Sequence, residues 1–133
     1  MITSATYLSY RDAPAAIAWL EELGFDVLQR QNGPDGTVAH SELRLADTVV
    51  LLASDDAPYF PPPLVGASTG VGVYLVTPDV DGMFARAIGS GATSVFPPED
   101  TEWGSRRARV LDPGGREWTF GSYRPGERWV PSD

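Results

Sequence analysis

Residues 7–12 read YLSYRD and residues 74–79 read YLVTPD. Tyr7 and Tyr74, Leu8 and Leu75, Asp12 and Asp79, and Gly24 and Gly91 are all separated by the same offset. One unit is therefore written twice, and internal repetition constrains architecture before any finer reading. Each copy opens with a short strand, ATYLSY or VGVYLVT. Asp12 and Asp79 then stand where a helix N-cap belongs, because a carboxylate accepts from the unbonded N–H groups of the first turn. Pro14 suits that turn. Ile17, Leu20 and Leu23 recur at helical spacing, as do Met83, Phe84, Ala87 and Ile88. Gly24 and Gly91 follow as helix stops. Three further strands are expected after each helix, near 26–31, 37–45 and 48–53, and again near 93–96, 105–111 and 116–121. NGPDG, ADT and DPGG supply the turns. The half-repeat is β-α-β-β-β and the fold class α+β. Module one covers 2–53, a Pro- and Gly-rich linker 54–70, module two 71–121 and a C-terminal tail 122–133, all within a single domain of 1–133.

At 133 residues the chain has room for one core and not for two ordinary domains. With 42% apolar and 21% charged residues it reads as globular. There is no cysteine, which removes disulfides, zinc–thiolate sites and thiol catalysis. There is no lysine, which removes Schiff-base chemistry. The net charge of −8 argues against nucleic acid and is compatible with a cationic small-molecule ligand, though solubility alone accounts for most such charges. No basic leader and no apolar run of bilayer length is present, so the sequence predicts a cytoplasmic protein without membrane contact.

The paired modules, with YLSYRDAPAAIAWLEELGF and WGSRRARVLDPGGREWTF, resemble the vicinal oxygen chelate superfamily. That group includes glyoxalase I, bleomycin-resistance proteins, fosfomycin-resistance enzymes and extradiol dioxygenases. The resemblance covers nearly the whole chain. It implies a cupped, barrel-like mixed sheet with ligand inside and helices outside, and it implies a homodimer. It also implies four inward metal-ligand positions, which fall here on Ala5, Leu51, Gly72 and Thr119. None of these carries an imidazole or carboxylate donor of the kind a divalent metal needs. The resemblance is therefore to the metal-free, ligand-binding branch, with no metal and no cofactor.

Strand side chains alternate between faces. If those four positions face the cup, Tyr7, Ser9 and Tyr74 share it, and Val73, Leu75, Trp118 and Phe120 face the helices. With Leu43 and Leu45 on the helix side, His40, Glu42 and Arg44 turn inward. With Ala108 and Val110 in the core, Arg107 and Arg109 turn inward. Trp103, in the loop reading PPEDTEWGSRR, either stacks on a flat ligand or plugs the core. His40 and Glu42 either contact ligand and move protons or are strand polar residues satisfied by a neighbour. Trp19 and Trp129 read as packing or interface, and Tyr59 and Phe60 as a lid or dimer contact. Asp112 reads as a turn former, and Asp55, Asp56, Glu99 and Asp100 most simply as solvated loop charges, or alternatively as a rim at the cleft mouth. Ser9, Ser41 and His40 lack an aspartate at triad spacing, and GASTGVG lacks the lysine of a phosphate loop. The candidate ligand-binding set is thus Tyr7, Ser9, His40, Glu42, Tyr74, Trp103, Arg107 and Arg109. The expected function is metal-independent sequestration of a small organic, antibiotic-like molecule. The alternative is a metal-free lyase or isomerase using His40 and Glu42.

Overall fold

The computed structural model describes residues 3–57 and 69–126. Tyr59, Phe60 and Trp129 lie outside them, so the lid and interface readings of those side chains find no description there. The element order is β1 (Thr6–Tyr10), α1 (Ala13–Leu23), β2 (Asp26–Asn32), a short 3₁₀ turn (Pro34–Gly36), β3 (Val38–Leu45), β4 (Thr48–Ser54), β5 (Gly72–Val76), α2 (Val80–Gly89), β6 (Thr93–Asp100), β7 (Arg106–Leu111) and β8 (Glu117–Gly121). Two four-stranded mixed sheets result, ordered β1-β4-β3-β2 and β5-β8-β7-β6. In each the first strand pairs parallel with the last strand of its own module, and the remaining pairs are antiparallel. The sheets are curved and not closed into a barrel.

The helix signals act as their chemistry requires. Asp12 accepts from Ala15 N at 3.1 Å and Asp79 from Gly82 N at 3.0 Å, each capping its helix. Gly24 ends α1 at φ 118°. Helix α1 lies against β1 and β4, α2 lies against β6, β7 and β8, and the two helices touch each other. One apolar core joins both modules. Trp118 of β8 is fully buried, with its ring centroid 5.7 Å from that of Trp19 and 6.1 Å from that of Phe25. Trp19 donates from Nε1 to Ala87 O on α2 at 3.2 Å, so its role is packing between modules.

Asp112 is more than a turn former. Its Oδ1 accepts from Gly114 N and Arg116 N, which shapes the turn between β7 and β8. Its Oδ2 accepts from Trp118 Nε1 at 2.8 Å and from the hydroxyl of Tyr10, at the end of β1, at 2.5 Å. The carboxylate thus fastens one module to the other. Gly114 is needed in this turn because the Tyr10 ring occupies the place a Cβ would take.

Two local readings are corrected. Strand β6 runs on to Asp100, through Pro97 and Pro98, where a loop was expected. The ladder shifts register between Phe96 and Glu99, and at a sheet edge such a bulge accommodates residues that cannot donate. Glu99 and Asp100 are consequently strand and not loop residues; both stay exposed, and they pair across to Arg107 at 3.1 Å and Arg106 at 2.9 Å. Asp55 accepts from Ser9 Oγ at 2.8 Å, which leaves Ser9 buried against its own module. Among the described residues no helix is long and apolar enough to cross a membrane.

Candidate functional site

The second module builds an open cleft of about 310 Å³ from the end of the linker, β5, β7 and β8. Alternation decides its lining. Trp118 and Phe120 point to the core, so Glu117, Thr119 and Gly121 face the other way. Register then sets Tyr74, Thr119 and Arg109 side by side across three strands, and Gly72 beside Glu117.

Glu117 forms the floor and is 5% exposed. Its Oε2 accepts from Thr69 N at 2.6 Å and Thr69 Oγ1 at 3.1 Å. Its Oε1 lies 3.3 Å from Arg109 Nε. Arg109 Nε also donates to Thr119 Oγ1 at 2.8 Å. The guanidinium of Arg109 stands 5.1 Å from the Phe96 ring centroid. Arg107 stands over the same ring at 4.9 Å and over Trp103 at 5.7 Å. Such distances are within reach of cation–π attraction. Tyr74 donates its hydroxyl to Tyr123 O at 2.8 Å, and burial pushes that hydroxyl's pKa up. The Tyr74 ring reaches over Gly121, where a Cβ would collide with it.

Of the residues expected to bind ligand, Tyr74 and Arg109 line this cleft, together with the ligand-equivalent Gly72 and Thr119. Arg107 and Trp103 extend from it as a stack through Phe96. His40 and Glu42 form a separate pair on the first module, Nε2 to Oε2 at 2.7 Å, with each side chain about one-third exposed. They share a face of β3 as expected. A register irregularity between the Gln31–His40 and Asn32–Val38 pairs brings Val38 to the buried side with Ser41 and Leu43. Tyr7 is half-exposed and stands beside Leu51, whose other neighbour is Glu42.

Glu117 and Thr69 were missed by the sequence reading. The alternation that turned Thr119 inward turns Glu117 inward as well, so that signal was present. Thr69 gave none: its contact spans 48 positions of sequence.

The metal implied by the resemblance does not suit these residues. Leu51 and Gly72 offer no donor, Ala5 is an exposed alanine ahead of β1, and the Thr119 hydroxyl is engaged by Arg109. The one carboxylate of the cleft is matched to a guanidinium, which repels a divalent cation. Among the described residues no three His, Asp or Glu side chains cluster to hold a metal ion.

Residues 3–120 match the sequence profile of the Glyoxalase/Bleomycin resistance protein/Dioxygenase superfamily. An uncharacterized protein of Mycobacterium bovis (strain ATCC BAA-935 / AF2122/97) is 37% identical over 123 residues, covering 86% of this chain and 79% of the relative. Among solved structures, TioX from Micromonospora sp. ML1 is 30% identical, with a TM-score of 0.66 over 90% of this chain and 98% of that one. A bleomycin-binding protein solved in complex with bleomycin is 21% identical, with a TM-score of 0.62 over 93% of this chain and 100% of the other. At that identity the likeness is one of fold.

Proposed function

The chain belongs to the Glyoxalase/Bleomycin resistance protein/Dioxygenase superfamily, and from that premise we propose that it binds a small organic molecule in the second-module cleft, without a metal and without turnover. The observation that carries this reading is the buried Glu117–Arg109 pair beneath an open cleft, beside Gly72 and Thr119, two of the positions where metal members of the family would place donors. Convergent polar groups under a concave surface are the ordinary form of a ligand site. The structural neighbour that holds bleomycin gives the same fold a binding role. Trp103 and Arg107 extend the site for larger ligands. A homodimer and a cytoplasmic location complete the proposal, and sedimentation at micromolar concentration tests the first of these.

The test is a thermal-shift panel of natural-product-sized compounds, metal-free bleomycin included, followed by calorimetry and by mass spectrometry of each recovered ligand. A ligand that binds the folded but not the unfolded chain raises the melting temperature by mass action. Binding that Arg109→Met removes, with the ligand recovered unchanged, supports the proposal. Ligand recovered in altered form, dependent on His40, supports instead the metal-free lyase or isomerase reading. The 2.7 Å contact of His40 with Glu42 is what favours that second reading.

A further inference from the structure

Resting on the reading of this cleft as the binding site, we propose that it selects an uncharged planar group bearing a carbonyl acceptor, of the aromatic-amide type, over the corresponding anion or cation. Three observations carry the argument.

The first is a fixed donor. Arg109 is held at Nε by Thr119 and Glu117 and its guanidinium sits over Phe96. Its two terminal nitrogens make no hydrogen bond to a described residue, and 27% of the side chain stays exposed. A guanidinium edge presents its N–H groups in a rigid fork suited to a planar acceptor.

The second is charge. Arg109 and Glu117 are the two groups among the cleft's described lining that are charged at neutral pH, and they lie against each other. An incoming carboxylate meets attraction from Arg109 and repulsion from Glu117 at similar range, and it must also shed its own hydration. An incoming cation meets the reverse, and both oxygens of Glu117 already have partners in Thr69 and Arg109. A neutral carbonyl accepts from the Arg109 fork and suffers neither repulsion. The acidic balance of the whole chain, −8, weighs further against an anion.

The third is shape. Tyr74, directly across from Thr119 in the ladder, places a ring at the cleft wall, and its hydroxyl is tied to Tyr123 O. A ring held this way offers a flat face for stacking.

The experiment is calorimetric titration of the full chain with 2-naphthamide, 2-naphthoate and 2-naphthamidinium, three probes of one shape and three charges. The amide is expected to bind at least tenfold more tightly than either ion. Arg109→Met keeps the stem over Phe96 and should remove that preference. Arg109→Lys retains the charge and serves if the methionine variant fails to fold. Glu117→Gln keeps the shape and an acceptor for Thr69 while uncovering the charge of Arg109; it should raise naphthoate affinity at least tenfold and make naphthoate the preferred probe. Equal or tighter binding of either ion to the unaltered chain overturns the inference, as does naphthoate affinity unchanged by Glu117→Gln. If no naphthyl probe binds while panel compounds bind in an Arg109-dependent way, the ligand class is wrong and the cleft stands. If panel binding survives Arg109→Met, both readings fall.

Discussion

Replacing Asp112 tests whether one carboxylate fastens the two modules. It is 4% exposed and accepts four hydrogen bonds, from Tyr10, Trp118, Gly114 and Arg116. Asp112→Ala strands two buried donors, the Tyr10 hydroxyl and Trp118 Nε1. Each stranded donor costs about 1–3 kcal/mol. The two turn amides stand next to exposed residues and can recruit water, so the total is about 3–5 kcal/mol. A domain of this kind has about 5–15 kcal/mol in all. Asp112→Asn keeps one oxygen for the turn and lets the Tyr10 hydroxyl rotate to accept, leaving Trp118 Nε1 stranded, for about 1–2 kcal/mol. Urea titrations at pH 7 should therefore rank the parent above Asn and Asn above Ala. Melting temperatures should fall by about 4 °C per kcal/mol. A double-mutant cycle of Tyr10→Phe with Asp112→Ala, which removes the contact outright, should give a coupling above about 0.5 kcal/mol. Acidity adds a second check. Burial pushes the Asp112 carboxyl above its usual range, and the four donors pull it down without prevailing. The folded state then keeps a proton that the unfolded state has lost. That contribution is complete below the ordinary carboxylate value of about 4 and is lost as pH rises through the raised value. The advantage of the parent over Asp112→Asn should shrink as pH rises from about 4 through the raised value and become flat above it. A folded Asp112→Ala variant that loses less than about 1 kcal/mol would refute the reasoning.

Further outcomes follow from the same contacts. Burial, with Asp112 beside it, holds the Tyr10 hydroxyl well above its ordinary value, so stability present below about pH 10 should be lost as pH rises beyond it. Absorbance at 295 nm should show one tyrosine ionising only as the chain unfolds, and Tyr10→Phe should abolish that component. Gly121→Ala puts a methyl group where the Tyr74 ring lies and should displace it, breaking the 2.8 Å bond to Tyr123 O. Binding to the cleft should fall about tenfold, the equivalent of ~1.4 kcal/mol, while the far-ultraviolet spectrum stays unchanged; unaltered affinity would remove Tyr74 from the site. Ala46 carries a left-handed φ of 53° in the turn between β3 and β4. Ala46→Gly should stabilise the chain by about 0.5–1 kcal/mol in urea titration, and destabilisation would show that the turn is not strained.

The sequence by itself determined the repeated β-α-β-β-β unit, both helix caps, the faces of β3, β7 and β8, and the absence of metal donors at Ala5, Leu51, Gly72 and Thr119. Each of these is local: a cap acts within three or four residues, and strand alternation has a period of two. Reading Trp118 and Phe120 as core was enough to turn Thr119 outward from it. Tertiary structure alone decided which inward residues share a site. Tyr74 and Arg109 meet across β8 because of strand order and register, whereas His40 and Glu42 face each other on another sheet. It also gave Asp112 a partner in Tyr10, 102 positions away, and gave Glu117 a partner in Thr69, which the sequence offers only as part of a linker. Pairings of that kind leave no periodic trace. They depend on how two packed modules dock around Trp118, and a carboxylate in a turn reads the same whether water or a distant hydroxyl will meet it.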